Sequence, residues 1–228
     1  HGTIAADRSN KPLTLSHNAK TNDALIEAVS GGILTIDAIT IDNAGGTILA
    51  DSGEVRLTGW ANIIGGTLRS VAPSQIASTG YSTLTGAPIA DGARLTVNQD
   101  QVLSLAGSGL VNDGTLWVNH TGGWNAFLHV LNDLAVTGDG DIYLNGDDLG
   151  DYIYSESGAT LTQQAGHTIH GCGAIRLPFV NHGLVSADKP AESLYLSHSP
   201  KTNDALMRAT AGGTLEIYGI AVANAGGT

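Results

Sequence analysis

The sequence predicts an all-β protein, a single β-solenoid with short helical or looped excursions. Three observations predict this fold: 31 of the 228 residues are glycine, a segment of 47 residues occurs twice, and apolar residues alternate with polar ones in short runs. Runs of period two that are bounded by Gly, Asn and Asp are typical of short half-buried strands. Helical bundles and coiled coils are excluded, because they do not tolerate this much glycine.

A long tandem repeat favours a solenoid over a sandwich or a propeller. Residues 1–47 align without a gap with residues 182–228, at an offset of 181, and 25 of the 47 positions are identical. Stacked copies bury apolar surface that one copy cannot bury alone. We expect one domain over residues 1–228, in which the two copies superpose and lie displaced along one axis. The second copy stops in mid-pattern, which predicts a piece of a longer array whose further copies stack end to end as partners.

The expected solenoid is a right-handed parallel β-helix with coils of about 20–25 residues. Its narrow interior suits Ile, Leu, Val and Ala better than large rings, in agreement with an aromatic content of 5%. One stretch, Thr21–Ala28, places capping residues before helix formers, so we expect a helical turn or a looped excursion there and in its copy, Thr202–Ala209. The predicted capping residues are Asn22, Asp23, Asn203 and Asp204.

Both copies end in the corner sequence Asn-Ala-Gly-Gly-Thr, although the residue before it differs. Identity that is confined to a corner indicates a requirement of the backbone. We expect a positive φ at Gly45 or Gly46 and at Gly226 or Gly227, because glycine adopts that conformation without strain.

Charge and cysteine content exclude several classes of protein. Lys and Arg number 10 against 21 for Asp and Glu, a formal net charge of −11. A duplex or an anionic membrane surface would repel such a chain, so we expect no nucleic-acid partner. No apolar run reaches about 18 residues, so we expect no membrane insertion. The single cysteine, Cys172, cannot form an internal disulfide.

The run from Leu13 to Ser70 resembles a repeat of very large bacterial surface and secreted proteins, with the form LTL…GGTLxI…TIxNAGGTIxAxxGxVxLxGxxIxGGTL. Such repeats build autotransporter-passenger and filamentous-haemagglutinin β-helices. The resemblance covers residues 2–70 and 181–228 well and residues 92–185 more loosely. It implies a structural or adhesive segment of a fibre that is extracellular or at the cell surface, and it transfers no catalytic residue.

An acidic segment between residues 138 and 151 is a candidate calcium site, because several carboxylates at a turn can bind calcium. However, Asp139 and Asp141 fill the variable positions of a Gly-x-Gly corner, so the pattern favours a solvated corner. The candidate ligands are Asp139, Asp141, Asp147, Asp148 and Asp151.

Histidines give no complete metal motif. His167, His170, Cys172 and His182 are close in sequence, but His-x-x-His with one cysteine is incomplete for zinc, and residues three apart in a strand point to opposite faces. We interpret the four as surface or corner residues and predict neither metal nor cofactor. His17 and His198 recur at matched positions and are interpreted as structural hydrogen-bonding residues.

Exposed tryptophans are the candidates for ligand contact. A tryptophan on the face of a β-helix could stack on a sugar ring, and the candidates are Trp60 and Trp124, with glycans as the ligands. The alternative is that these rings pack beneath a loop.

No enzyme signature is present, so we predict no catalytic residue. The predicted function is a structural or adhesive segment of a bacterial extracellular fibre. The alternative is a secreted β-helical polysaccharide-active enzyme, a lyase or a hydrolase, or a carbohydrate-binding module. Such an enzyme needs clustered carboxylates on neighbouring coils, and Asp147-Asp148 is the one adjacent aspartate pair in the sequence.

Overall fold

The computed structural model describes residues 2–9, 11–120, 125–146 and 150–228. It is a parallel β-solenoid of about 10 turns with 57% strand. The predicted fold class is therefore confirmed. The excursions are loops, because the described ranges contain no helix.

The described residues form 29 strands that stack into parallel sheets along the solenoid. Sheet 1 contains β1 (Thr3–Ala6), β4 (Leu25–Val29), β7 (Thr47–Asp51) and β10 (Thr67–Val71). Sheet 2 contains β2 (Pro12–Leu15), β5 (Ile33–Asp37), β8 (Glu54–Thr58), β11 (Gln75–Ser78), β13 (Arg94–Val97), β16 (Thr115–Val118), β19 (Asp141–Asn145), the first half of β22 (Thr168–Ile175), β24 (Leu184–Ala187) and β27 (Leu206–Ala209).

Sheet 3 contains β3 (Lys20–Thr21), β6 (Thr40–Asp42), β9 (Ala61–Ile64), β12 (Ser82–Thr85), β14 (Val102–Ala106), β17 (Ala126–Val130), β20 (Asp151–Tyr154), the second half of β22, β25 (Ser193–Ser197) and β28 (Thr214–Tyr218). Sheet 4 contains β15 (Gly109–Val111), β18 (Leu134–Thr137), β21 (Leu161–Gln163), β23 (Phe179–Asn181), β26 (Lys201–Asn203) and β29 (Val222–Ala223). β22 turns the corner between sheets 2 and 3, because its first half pairs with β24 and its second half with β25.

Coil length varies more than the sequence predicts. Leu25 pairs with Thr47, 22 positions later. In contrast, Asp141 pairs with Thr168 after 27 positions, and Thr168 pairs with Leu184 after only 16. The expected range of 20–25 residues is therefore typical of the coils but too narrow.

The core is a set of aliphatic columns inside the rod. One column of sheet 2 passes through successive coils and consists of Leu13, Leu34, Val55, Ile76, Leu95, Leu116, Ile142, Ile169, Val185 and Met207. Burying each such side chain contributes roughly 1.5–3 kcal/mol. Phe179 is the one aromatic side chain in the core cluster of the described residues, so the expected aliphatic interior is confirmed.

The predicted helical turn at Thr21–Ala28 is wrong. The segment turns a corner between β3 and β4, and in β4 the buried side chains of Ile26 and Ala28 alternate with half-exposed ones. Asn22 does not cap a helix. It is buried and accepts a hydrogen bond from the Ala24 N–H at 3.2 Å, which closes the corner. Residues 202–209 repeat this arrangement in β26 and β27.

Corresponding strands of the two sequence copies lie on different sheets. Their strands begin at matched positions: β1 and β24 begin 181 residues apart, and so do β5 and β28. Yet β1 belongs to sheet 1 and β24 to sheet 2, while β5 belongs to sheet 2 and β28 to sheet 3. The second copy therefore lies one sheet further round the rod than the first. How closely the two copies superpose stays a prediction.

The glycine prediction holds in the first copy only. Gly45 has a φ of 82°. Neither Gly226 nor Gly227 has a positive φ, so the prediction is wrong for the second copy. The first corner is also bonded to the next coil, through the Asn43 N–H and the Ile64 carbonyl at 2.9 Å.

Candidate functional site

A stripe of aromatic side chains runs along the outer face of sheet 3. The aromatic stripe consists of Trp60, Tyr81, Phe127, Tyr152, Tyr154, Tyr195 and Tyr218. It holds five of the six tyrosines of a chain with only 5% aromatic residues. The large rings are therefore concentrated on one face of the rod.

The register of sheet 3 builds this stripe. Successive side chains of a strand point to opposite faces, and the inward positions here are aliphatic, as Leu128 and Ile153 are fully buried. Phe127 pairs with Tyr152 on the next coil, so both rings lie outside. A second column of side chains runs beside the first, two residues further along each strand. In this column His129 pairs with Tyr154, and Ser197 pairs with Tyr218.

The first end of the stripe is an exposed ring pair. Trp60 and Tyr81 lie one coil apart, at the corners that precede β9 and β12. Their ring centroids are 4.5 Å apart and their planes differ by 12°, so the rings are stacked. Trp60 is 72% exposed and Tyr81 47% exposed. The prediction that Trp60 could stack on a ligand is therefore compatible with its position, whereas Trp124 lies outside the described residues.

The middle of the stripe is a more closely packed cluster. Phe127 lies 5.4 Å from Tyr152 and 5.9 Å from Tyr154 between ring centroids. His129 stacks on Tyr154 at 4.5 Å with an angle of 8°. Burial lowers the pKa of His129, with a smaller opposing effect of Glu156, so the stacked imidazole is uncharged at neutral pH. The cluster is thus a mainly apolar surface, in which the ring of Phe127 is tilted by 53° and 70° against those of Tyr152 and Tyr154.

Two adjoining cavities lie beside this cluster, and we call them together the Arg176 cleft. The first has a volume of about 460 Å³, and its lining includes Phe127, Tyr152 and Tyr154 with Arg176 and His198. The second, about 410 Å³, is lined by the same Arg176 and His198 with Tyr195, Ser197, Glu216 and Tyr218. Both volumes fall within the range of small-ligand pockets.

Arg176 lies between the two cavities and over a ring of the stripe. Its Cζ atom lies 3.3 Å from the centroid of Tyr152, a cation–π arrangement. Its Nε atom is buried and has no hydrogen-bond partner among the described residues. The guanidinium therefore lies against the ring and borders both cavities.

His17 and His198 occupy the same type of corner, one in each sequence copy. Both residues have a positive φ, of 73° and 67°. His198 Nδ1 lies 2.9 Å from the Ser197 hydroxyl, and His17 Nδ1 lies 2.7 Å from that of Ser16. In the second copy, Lys201 donates to the carbonyls of Leu177, Ser197 and Ser199. The interpretation of the two histidines as structural hydrogen-bonding residues agrees with these contacts.

Three of the five calcium candidates, Asp139, Asp141 and Asp151, lie in the described part of the chain. Asp141 faces outward on sheet 2, accepts a hydrogen bond from the Thr115 hydroxyl at 3.0 Å and lies 3.4 Å from His170 Nε2. Asp151 is fully buried and accepts a hydrogen bond from the Gly146 N–H at 2.5 Å. Burial raises the pKa of Asp151 to about 7, against the opposing effect of backbone hydrogen bonds. Asp147 and Asp148 lie outside the described residues.

Asp139 lines a different groove, on the edge between sheets. This groove has a volume of about 450 Å³, and its charged lining residues are Asp91, Arg94, Asp113, Asp139 and Asp141. One of these carboxylates already joins two adjacent coils, since Asp113 accepts a hydrogen bond from the N–H of Asp139 at 3.2 Å. Among the described residues, no group of three His, Cys, Asp or Glu side chains is placed to hold a metal ion.

The histidine and cysteine interpretation is partly wrong. His167 and His170 point to opposite faces, as predicted, but His167 is fully buried and so is Cys172. Cys172 lies inside because β22 continues through the corner, and its thiol donates to the Gly146 carbonyl at 2.7 Å. His182 lies near the surface, 3.6 Å from the carboxylate of Asp204.

Sequence reasoning missed most of the stripe. Tyr152, Tyr154 and Tyr195 each occupy the polar position of an alternating run, which is the only signal that the sequence holds for them. That alternation predicts an outward ring but not its neighbour on the next coil, because coil lengths differ. A second outward ladder, on sheet 2, was missed for the same reason. There Tyr143 stacks on His170 with ring centroids 4.6 Å apart.

The described residues contain no helix with the length and apolarity that a membrane span needs. Comparisons with protein-family models, with curated proteins and with solved structures find no match.

Proposed function

We propose that the chain is a structural and adhesive segment of a bacterial fibre, extracellular or at the cell surface, of the kind that its repeat resembles. The parallel stack supports the structural half of this proposal, because each coil extends the rod without closing it. The rod would continue by stacking on further repeat units at its ends.

The aromatic stripe carries the adhesive half of the proposal. Exposed rings on a rigid face contribute a large apolar area at low entropic cost, and their polar edges tolerate water. Adjacent coils of a parallel sheet lie about 4.8 Å apart, close to the length of one pyranose unit in an extended chain. A polysaccharide lying along sheet 3 could therefore stack sugar rings on the coils that carry an aromatic side chain and pass over Val102 and Ala174 on the coils between them.

The scarcity of carboxylates beside the stripe favours a binding function over a catalytic one. Glycoside hydrolysis uses a pair of carboxylates that flank the scissile bond. Of the described residues that line the Arg176 cleft, Glu216 alone carries a carboxylate, and it accepts a hydrogen bond from the Ser193 hydroxyl at 2.9 Å. We therefore assign no catalytic role to the stripe.

Co-sedimentation with insoluble polysaccharides tests the adhesive function. The wild-type chain should sediment with at least one polymer of a panel that includes cellulose, chitin and cell-wall preparations. The double variant Tyr152→Ala/Tyr195→Ala should lose that binding. Tyr143→Ala is the matched control, because Tyr143 is an outward, half-buried tyrosine on sheet 2, and it should bind as the wild type does. Equal binding by all three proteins would contradict the proposal.

Product analysis on the same panel separates adhesion from catalysis. We expect no release of oligosaccharides during prolonged incubation with soluble forms of the polymers. If oligosaccharides are released and either Asp113→Asn or Asp139→Asn abolishes the release, the groove lined by these two aspartates would be an enzymatic site instead.

A further inference from the structure

The Arg176 cleft differs from the rest of the aromatic stripe because it contains a cation. Trp60 and Tyr81 offer rings alone, whereas the cleft combines the rings of Tyr152 and Tyr195 with a guanidinium. The whole chain has a formal net charge of −11. A positive group on the proposed binding face of an acidic protein is therefore informative about the ligand.

The guanidinium of Arg176 is held in place, but no carboxylate in the described lining of the first cavity neutralises its charge. The guanidinium Cζ atom lies 3.3 Å from the ring centroid of Tyr152, and this contact holds the group in place. The described lining of the first cavity contains no carboxylate, and its other polar side chains are His198, Ser155 and Ser199, with the Tyr hydroxyls. Glu216 lies in the second cavity and is engaged by Ser193. The first cavity therefore combines an apolar floor with an unneutralised cation.

An arginine presented in this way matches a carboxylate better than a hydroxyl. The planar fork binds a carboxylate through two parallel hydrogen bonds, and charge-assisted bonds are about twice as strong as neutral ones. The cavity is open along the stripe, so a sugar that carries the carboxylate could have its neighbouring residues on adjacent coils.

We propose that the Arg176 cleft binds a uronic-acid residue of an acidic polysaccharide, with its carboxylate on Arg176 and its ring against the tyrosines of the stripe. This inference rests on the proposed adhesive function and specifies the ligand class of that site. Tyr152 positions the guanidinium and contacts the sugar, while Tyr195, two coils further on beyond Ala174, receives the next residue but one of the chain.

Calorimetric titration with charged and uncharged versions of the same sugar tests the proposal. The probes are hexagalacturonate and a hyaluronan hexasaccharide, each beside a derivative whose carboxyl groups have been reduced to primary alcohols. The wild type should bind at least one acidic probe about tenfold more tightly than its reduced form, which corresponds to about 1.4 kcal/mol. Arg176→Met should lose this preference but bind the reduced form as the wild type does. Arg176→Lys should retain only part of it.

Each other outcome overturns the inference. Equal affinity of the wild type for both forms would reject the carboxylate but leave the adhesive stripe in place, since the rings alone would then bind. Failure of every form to bind would reject the acidic ligand, and the polysaccharide panel would decide the adhesive function separately. If Arg176→Met does not fold, the salt dependence of the wild type decides. Added salt should weaken binding of the acidic probe alone, and an equal effect on both forms would reject the proposal.

Discussion

Asn22 donates a hydrogen bond from its side-chain amide to the side-chain carbonyl of Asn43, 21 residues later, over 2.6 Å. The same bond joins Asn203 to Asn224 in the second copy, also over 2.6 Å. The second ladder extends one coil further, because Asn181 donates to Asn203 at 2.7 Å. Within each ladder the asparagines stack at one corner of successive coils, and their amide bonds join one coil to the next. The repeated Lys-Thr-Asn-Asp sequence therefore encodes a corner.

Removing a rung of the ladder should destabilise the rod. Asn22→Ala leaves the buried Asn43 carbonyl without its donor, and an unsatisfied buried polar group costs about 1–3 kcal/mol. Asn203→Ala should cost more than Asn22→Ala, since Asn203 bonds to asparagines on both sides. Thermal and denaturant unfolding measure both changes. Asn18→Ala, at an exposed position of the same copy, is the control and should have little effect.

The Gly-Gly corner should be intolerant of side chains for two different reasons. A Cβ on Gly46 would collide with the main chain and the amide of Asn22, whereas Gly45 faces open space but has a φ of 82°. Gly45→Val should cost about 1–2 kcal/mol through its left-handed backbone, and Gly46→Val should cost more. For a chain of this size, each 1 kcal/mol lowers the Tm by about 2–4 °C.

Asp42→Ala is the control for the glycine variants. Asp42 contributes a single exposed bond, from the Ala44 N–H to its carboxylate at 3.3 Å, so its removal should barely change the Tm. Similar small losses for Asp42→Ala and Gly46→Val would show that the close approach to Asn22 does not matter for stability.

Acid should destabilise the rod through His167. This residue is fully buried, and Asn112 donates its amide to His167 Nε2 at 3.1 Å, which requires the neutral ring. Burial lowers the pKa of His167 to about 4, from 6.5, against the opposing effect of Asp141. The unfolded state therefore binds the proton more tightly. The contribution of the neutral His167 ring to the free energy of unfolding is complete above pH 6.5. It is lost as the pH falls towards 4, by up to about 1.4 kcal/mol per pH unit.

Unfolding by urea between pH 7 and pH 4 measures this contribution. His167→Gln keeps an acceptor for Asn112 but cannot be protonated, so the fall in stability with acid should be shallower than in the wild type. His182→Gln, at a partly exposed position, should retain the wild-type slope. An identical slope in the wild type and in His167→Gln would exclude His167 as the acid-sensitive group.

The solenoid fold could be predicted from the sequence, because it follows from the local alternation of apolar and polar residues. The Arg176 cleft could not, because it depends on the register between coils. Glycine content and period-two runs predicted the strands and corners of a single coil, and the duplication predicted that such coils stack. Tyr152 and Tyr195 become neighbours of Arg176 only through the stacking of coils whose lengths range from 16 to 27 residues. No local pattern in the sequence fixes that stacking, so the cleft was not predicted.

The asparagine ladder shows a second limit of sequence reasoning. Asn and Asp stabilise a helix start and a sheet corner by the same means, a side-chain oxygen that accepts a backbone N–H. The residues after Asn22 decide between the two, since buried Ile26 and Ala28 are two apart and so follow the period of a strand. The helix formers in that segment outweighed this alternation in the prediction.

Oxidative footprinting of the exposed aromatic side chains, with and without a bound polysaccharide, tests directly whether sheet 3 is the adhesive face. Mass spectrometry would compare the labelling of Trp60, Tyr152, Tyr195 and Tyr218 with that of Tyr143 on sheet 2. The polysaccharide should protect the four stripe residues and leave the labelling of Tyr143 unchanged. Protection of Tyr143 with continued labelling of the stripe would contradict this prediction.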